Sequence, residues 1–426
     1  MLSWKVWSRR ATAVIILLPA WAAALCGAGL LSYFLAGWSA WVPLLAFSAT
    51  CAFAVIVWGA AWLAALIWHA EKRTGIANTL TAILTLAFVS ALYFLVLRPS
   101  RLRLADTIRF NNTQYWQLPT GSRIAYSEYD PPAGVALKPE PVVFLHGGPG
   151  MRVGPWDHTF FNPLTAYGFR LYLFDQAGSG LSDFLPKVRE YTMRRAVEDL
   201  EAVRQQIGSD RMILIGHSWG SILAASYMAK YAKHVAKVVL YSPGPMWGYP
   251  PVKEDDSRTG GGTSGFPSLR FLAALSLLDR NPDASQALLP QPEAEELLVP
   301  LIAHTPPSFV CKGDDNTLPA LMSTLTTLKV NPRFNPYVLQ SILLSVSKPD
   351  GDPHAALRGN RTPAMILFGE CDFLPWSVAL DYRRTLSNAK TYYVPRAGHF
   401  IQFEEPELMR RMIVAFLLDQ PGPIPA

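Results

Sequence analysis

The chain has 426 residues, half of them hydrophobic, and a formal charge of +6. The surplus is confined to the first 103 residues, where eight Lys and Arg meet a single Glu; the remainder carries 30 basic and 31 acidic residues. A nucleic-acid binder places its positive charge on the folded domain, so that class is excluded, and the four cysteines show no metal-ligand spacing.

No charged residue occurs between 11 and 68, and a second uncharged stretch covers 74–97. The first run breaks at Gly37-Trp38-Ser39-Ala40-Trp41-Val42-Pro43, where turn formers meet interfacial tryptophans. Three transmembrane helices are expected at about 12–35, 44–68 and 74–97, each near or above the ~20 apolar residues that cross a bilayer. Lys5, Arg9 and Arg10 precede the first span as they would precede a signal peptide, but no small-residue cleavage site follows them. The N-terminus and second loop carry five basic residues, against three after the last span (Arg98, Arg101, Arg103). The positive-inside rule then gives a multi-pass membrane protein with a cytoplasmic N-terminus and an extracytoplasmic C-terminal domain. Cys311 and Cys371 are able to pair only if that domain lies outside the cytosol.

Residues 1–100 thus read as a membrane region and 101–118 as a juxtamembrane connector. Beyond it, short apolar runs alternate with helical patterns. Strands are expected at 123–129, 141–145, 169–174, 212–215, 237–241, 364–368 and 390–394, and amphipathic helices at 191–207 and 405–418. This alternation implies an α/β domain on a mostly parallel sheet, built from 119–242 and 361–420. Residues 243–360 break the rhythm with a Gly-rich loop and helical patches near 268–279, 292–303, 317–328 and 335–346, which read as an inserted helical cap.

Three strand ends carry chemistry. The run 212–215 enters Gly216-His217-Ser218-Trp219-Gly220, a G-x-S-x-G turn between strand and helix that presents Ser218 as a nucleophile. The run 141–145 enters His146-Gly147-Gly148-Pro149-Gly150, whose Gly148, or next Gly147, offers one oxyanion-binding N–H beside that of Trp219. The late strands end at Glu370-Cys371-Asp372 and at Gly398-His399. With chain order Ser, acid, His, only His399 among eight histidines follows the late acids. It serves as general base, braced by Asp372, with Glu370 the alternative acid.

His-Gly-Gly-Pro-Gly at 146–150, Asp-Gln-x-Gly-Ser-Gly-x-Ser at 175–182 and Gly-x-Ser-Trp-Gly-Ser at 216–221 resemble the prolyl aminopeptidase (proline iminopeptidase) family of α/β-hydrolases. The likeness covers about 120–245 and 363–418. It implies an α/β-hydrolase fold with an inserted helical cap and a serine hydrolase acting on a small-molecule or short-peptide substrate without cofactor or metal. It departs at His217, where the family has glycine, and at Ala177, where it has arginine. In that family cap glutamates hold the substrate amine; no motif places them here, although Glu293, Glu295 and Glu296 are available acids. An esterase or lipase-like enzyme on amphipathic esters, or a non-catalytic membrane protein keeping the fold, are the alternatives.

Overall fold

The computed structural model describes residues 4–68, 73–99, 109–248, 268–295, 310–311, 335–346 and 352–425. The chain forms two compact units, Met1–Leu102 with Ser264–Ala294, and Arg103–Thr263 with Glu295–Ala426. The helical patches expected at 292–303 and 317–328 lie almost wholly outside the described residues.

The first unit contains α1 (Trp4–Ala36), α2 (Val42–Ile67) and α3 (Arg73–Leu92), the last continued by a π-type segment at Tyr93–Leu97. Stretches at Pro19–Ala36, Val42–Ile67 and Thr74–Leu97 are long and apolar enough to cross a membrane. Pro19 sits inside α1 without ending it. Ala24 and Ala28 of α1 bury against Ala49, Phe53 and Val57 of α2; small residues let helix backbones approach closely. Phe53 stacks on Phe88 of α3 with ring centroids 4.2 Å apart. The opposite faces are open and apolar, with Val55 and Leu86 each 69% exposed.

Two further helices, α7 (Leu269–Leu278) and α8 (Pro282–Leu288), belong to this unit although sequence places them in the cap. Their polar residues explain the association. A helix ends in carbonyls that lack intrahelical partners. Arg270 Nη1 donates to the carbonyls of Val96 and Leu97 (2.6 and 3.0 Å), and Asn281 Nδ2 donates to that of Ala36 (2.7 Å). The guanidinium also pairs with Glu293 at 2.7 Å, and both side chains are about nine-tenths buried. Arg270 therefore closes the third apolar helix at its negative dipole end and neutralises a buried carboxylate.

The second unit is an eight-stranded sheet in the order β1-β2-β4-β3-β5-β6-β7-β8. The strands are β1 (Thr113–Gln117), β2 (Arg123–Tyr129), β3 (Val142–Leu145), β4 (Leu171–Phe174), β5 (Met212–His217), β6 (Val235–Tyr241), β7 (Ala364–Gly369) and β8 (Ala389–Val394). β1 and β2 pair antiparallel, as do β2 and β4; every pairing from β4 through β8 is parallel. The connector expected over 101–118 thus ends in a strand that sequence alone did not mark, because Thr113–Gln117 alternates too briefly. All residues of β3, β4, β5 and β7 are buried, as continuous apolar strands covered on both faces should be. The covering helices are α4 (Pro155–Phe161), α5 (Met193–Ile207), α6 (Trp219–Tyr231), α9 (Pro336–Val346), α10 (His354–Leu357), α11 (Ser377–Thr385), α12 (Ile401–Glu404) and α13 (Pro406–Leu417). On one face Phe144, Ile213, Val239, Met365 and Leu367 pack with Met409, Met412 and Ile413 of α13. The chain leaves β3 for β4 on one side and returns to β5 on the other. The crevice at the carboxyl ends of β3 and β5 is therefore where an open parallel sheet binds ligands.

Replacing Arg270 with Ala strips Glu293 of its partner. It is expected to destabilise the first unit by about 3–5 kcal/mol, read as a lowered unfolding midpoint of the detergent-solubilised chain; an unchanged midpoint contradicts this account.

Candidate active site

Ser218 lies between β5 and α6 at φ 52°, ψ −114°, a region that a non-glycine residue enters only when its surroundings enforce it. They do: its N–H donates to Tyr241 O (3.1 Å), and its carbonyl accepts from the N–H groups of Ser221 and Gly244 (3.0 and 3.2 Å). Two residues on, glycine is obligatory. A Cβ on Gly220 would stand 2.0 Å from Leu145 O, so the first turn of α6 rests directly on the end of β3. Trp219 fills the space behind the turn, and its indole Nε1 donates to Gln176 Oε1 (2.7 Å).

The glycine loop after β3 meets this turn. A Cβ on Gly147 would come within 3.3 Å of Ser218 Cβ and 3.0 Å of His217 Nδ1. His146 fixes the loop from below: its Nε2 accepts the Gln176 N–H (3.0 Å), which leaves Nδ1 to donate to Gly147 O (2.9 Å). Gln176 Nε2 donates in turn to His146 O (3.0 Å). Burial lowers the His146 pKa to about 4, so the ring is neutral at pH 7, as a histidine that both accepts and donates must be. Asp175 ties the same loops, one oxygen accepting from Val153 N–H and the other from Leu181 N–H, each at 2.7 Å. Asn335, fully buried ahead of α9, donates its backbone N–H to Gly150 O (2.9 Å) and its side-chain amide to Gly178 O (3.0 Å).

The structure brings Asp372 onto His399. The imidazole Nδ1 lies 3.0 and 3.1 Å from the two carboxylate oxygens, with the Asp372 side chain wholly buried and that of His399 5% exposed. This bond holds the Nδ1–H tautomer and leaves Nε2 as the basic nitrogen. Glu370, the alternative acid, is exposed and accepts a bond from the Arg396 N–H (2.9 Å) instead. Glu293 is committed to Arg270, and Glu296 lies outside the described residues.

Four contributors to this site were not expected from sequence as positioning groups: His217, Gln176, Asn335 and Glu404. His217 Nε2 lies 3.0 Å from His399 O, and its ring stacks on Tyr241 at 4.5 Å. Burial, and then the neighbouring His399, hold its pKa well below the usual value. The neutral ring must carry its proton on Nε2, because a carbonyl only accepts. The residue before Ser218 thereby fixes the backbone of His399. Glu404 works from the other side, accepting from Gly398 N–H (2.5 Å) and from Cys311 N–H (2.8 Å). Cys311 is disulfide-bonded to Cys371, beside Asp372. His217 had a sequence signal in its departure from glycine, and Gln176 lies within the 175–182 motif; Asn335 and Glu404 had none, since their contacts to Gly178 and Cys311 span 157 and 93 residues of chain.

A family model described as alpha/beta hydrolase fold matches residues 140–406. The chain belongs to this family. Curated relatives match over a shorter stretch. A proline iminopeptidase of Neisseria gonorrhoeae is 36% identical over 126 residues, 30% of this chain and 38% of that protein. One from Arabidopsis thaliana is 39% identical over 100 residues, 24% of this chain and 26% of that protein. The matched segment thus spans well under half of these relatives. Among solved structures, a thermophilic esterase from Thermogutta terrifontis superposes with TM-score 0.53 at 20% identity, over 72% of this chain and 98% of that one. An enol-lactonase from Burkholderia xenovorans gives 0.52 at 16% identity, over 72% and 100%. At such identity these two speak to the fold alone.

Two expectations follow. His217→Gly removes the bond to His399 O and is expected to lower kcat about 10- to 100-fold with little change in KM, the scale of a small misplacement of a catalytic group; an equal rise in KM would instead mark a substrate contact. His146 has a depressed folded pKa, so the stability it contributes is present above pH 6.5 and is lost as pH falls towards 4. His146→Asn is expected to reduce the pH dependence of urea unfolding between pH 4 and 6.5 by on the order of one proton.

Proposed function

We propose that the protein is a membrane-anchored serine hydrolase that cleaves an amide or ester bond through an acyl-enzyme. The observation that carries this reading is the buried Asp372–His399 pair, whose carbonyl is bonded by the residue adjoining Ser218.

In this reading Ser218 Oγ attacks the substrate carbonyl carbon and passes its proton to His399 Nε2. Asp372 stabilises the imidazolium that results. The developing oxyanion is received by the N–H groups of Trp219 and of Gly148 or Gly147. His399 then protonates the departing amine or alcohol, and the acyl group stays on Ser218. Water enters by the same route in reverse, giving its proton to His399 and releasing the acid. The strained backbone at Ser218 suits a nucleophile that must stand clear of its strand.

Similarity to the proline iminopeptidases, 36% and 39% identical over 126 and 100 residues, supports an aminopeptidase of that kind. An ester substrate is the second reading, favoured by the three apolar helices, which suit an enzyme tethered where amphipathic esters collect. The Cys311–Cys371 bond supports a hydrolase domain outside the cytosol, in line with the charge asymmetry of the flanking segments.

A fluorophosphonate probe is expected to label the intact chain at Ser218 and to fail on Ser218→Ala. Ser218→Ala and His399→Ala should each lose ~10⁴- to 10⁶-fold in rate. Proline 4-nitroanilide tested against 4-nitrophenyl butyrate separates the two substrate classes: inertness toward the amide removes the peptidase reading, and absence of labelling removes the enzyme.

A further inference from the structure

The first unit forms a half-open cavity of about 250 Å³ at one end of its helices. Its walls come from the C-terminal half of α1, the start of α2 and the end of α3, and its remaining wall from α7 and α8. Leu25, Ala28, Leu45, Phe88, Leu92 and Leu277 line it. The two serines on its wall turn their hydroxyls to backbone carbonyls: Ser32 donates to Ala28 O and Leu45 O, both at 3.0 Å, and Ser276 to Ala273 O at 2.7 Å. A water needs two to four polar partners, and beyond these two serines the lining side chains include a single polar group, the Tyr33 phenol. The space suits hydrocarbon.

Its depth fits one kind of hydrocarbon. The turn between α1 and α2 carries Trp38 and Trp41, which are 89% and 64% exposed, and exposed tryptophans at the ends of apolar helices sit at headgroup level. Tyr33 lies about 7 Å along the helix from Trp38, and Leu25 about 20 Å, at 1.5 Å per residue. The cavity thus runs from the headgroup boundary to roughly the middle of a bilayer whose apolar core is about 30 Å thick. At its outer end stands a cation. The Arg280 guanidinium lies 5.7 Å from the Tyr33 ring centroid and presses on Gly37, where any Cβ would be 2.6 Å from Arg280 Nε. α7 adds Leu269, Leu272 and Leu275, all exposed, on the same unit.

We propose that this cavity is a binding site for one acyl chain of a membrane phospholipid, with the lipid phosphate at Arg280. The inference rests on the membrane reading above but not on catalysis. A lipid seated there would fill the space between the apolar helices and the α7–α8 hairpin and fasten that hairpin to them. Arg270 and Asn281 do the same with hydrogen bonds.

The test uses the full chain reconstituted in phosphatidylethanolamine vesicles with a phosphatidylglycerol carrying a diazirine at the end of one acyl chain. After irradiation, cross-linked peptides are mapped by mass spectrometry. Adducts are expected on 25–33 and 273–288 in excess of those on the outer faces at Val55 and Leu86. The pair Ala46→Phe and Ala273→Phe, which narrows the cavity, should reduce the inner adducts several-fold and leave the outer ones unchanged. Arg280→Gln, which leaves the cavity open, should weaken the inner adducts and abolish their preference for phosphatidylglycerol over an equally labelled phosphatidylcholine. Adducts spread evenly around the helices in the unaltered chain, or inner adducts indifferent to both changes, overturn the site while leaving the membrane reading intact. A chain recovered from cells in the soluble fraction overturns both.

Discussion

The candidate site depends on backbone meeting backbone at the carboxyl ends of neighbouring strands. Gly220 lets the elbow helix rest on the last carbonyl of β3, and Gly369 lets the end of β7 lie against the carbonyls of Ala397 and Gly398, where a Cβ would stand 2.3–2.4 Å away. These approaches bring Ser218 to the glycine loop and Asp372 to His399. A side chain at either glycine would separate two loops whose spacing the chemistry requires, whatever the remaining residues did.

Around that framework the polar groups are neutral, bonded or paired. His146 and His217 are buried and uncharged, each using both its burial and a backbone carbonyl to keep one tautomer. That neutrality serves His399. In the proposed mechanism a second imidazolium nearby would repel the one formed when Ser218 gives up its proton. The negative groups are held with equal care: both Asp372 oxygens face His399, and Glu404 bridges Gly398 and Cys311. The loops bearing Asp372 and His399 are thus joined through a carboxylate and a disulfide as well as through the sheet.

The inserted segment has two allegiances. Its first hairpin closes the ends of the apolar helices, with Arg270 and Asn281 satisfying carbonyls that those helices leave open. Its segment ahead of α9 holds Asn335, which ties the glycine loop to the 175–182 turn. One insertion therefore supplies structural parts to both units. A cap recognised only by its break in strand-helix rhythm gives no hint of this division.

Seven of the eight strands, the strand-turn-helix at Ser218 and the glycine loop were legible in sequence because each is a local pattern, an apolar run closed by glycine. Hydropathy marked the three apolar helices for the same reason, to within a few residues except at the start of α1, which begins at Trp4. Sequence preferred Asp372 and kept Glu370 as the alternative; separating them physically needed the fold, since two carboxylates two residues apart are alike until one is buried on an imidazole and the other faces water. So did the bond from His217 to His399, the pairing of Cys311 with Cys371 and the loyalty of α7 and α8 to the first unit. The amino-acid order by itself determined which groups were available and on which strand ends they would stand. Which of them meet was decided only by packing, because hydrogen bonds and burial depend on distances between residues that the chain keeps far apart.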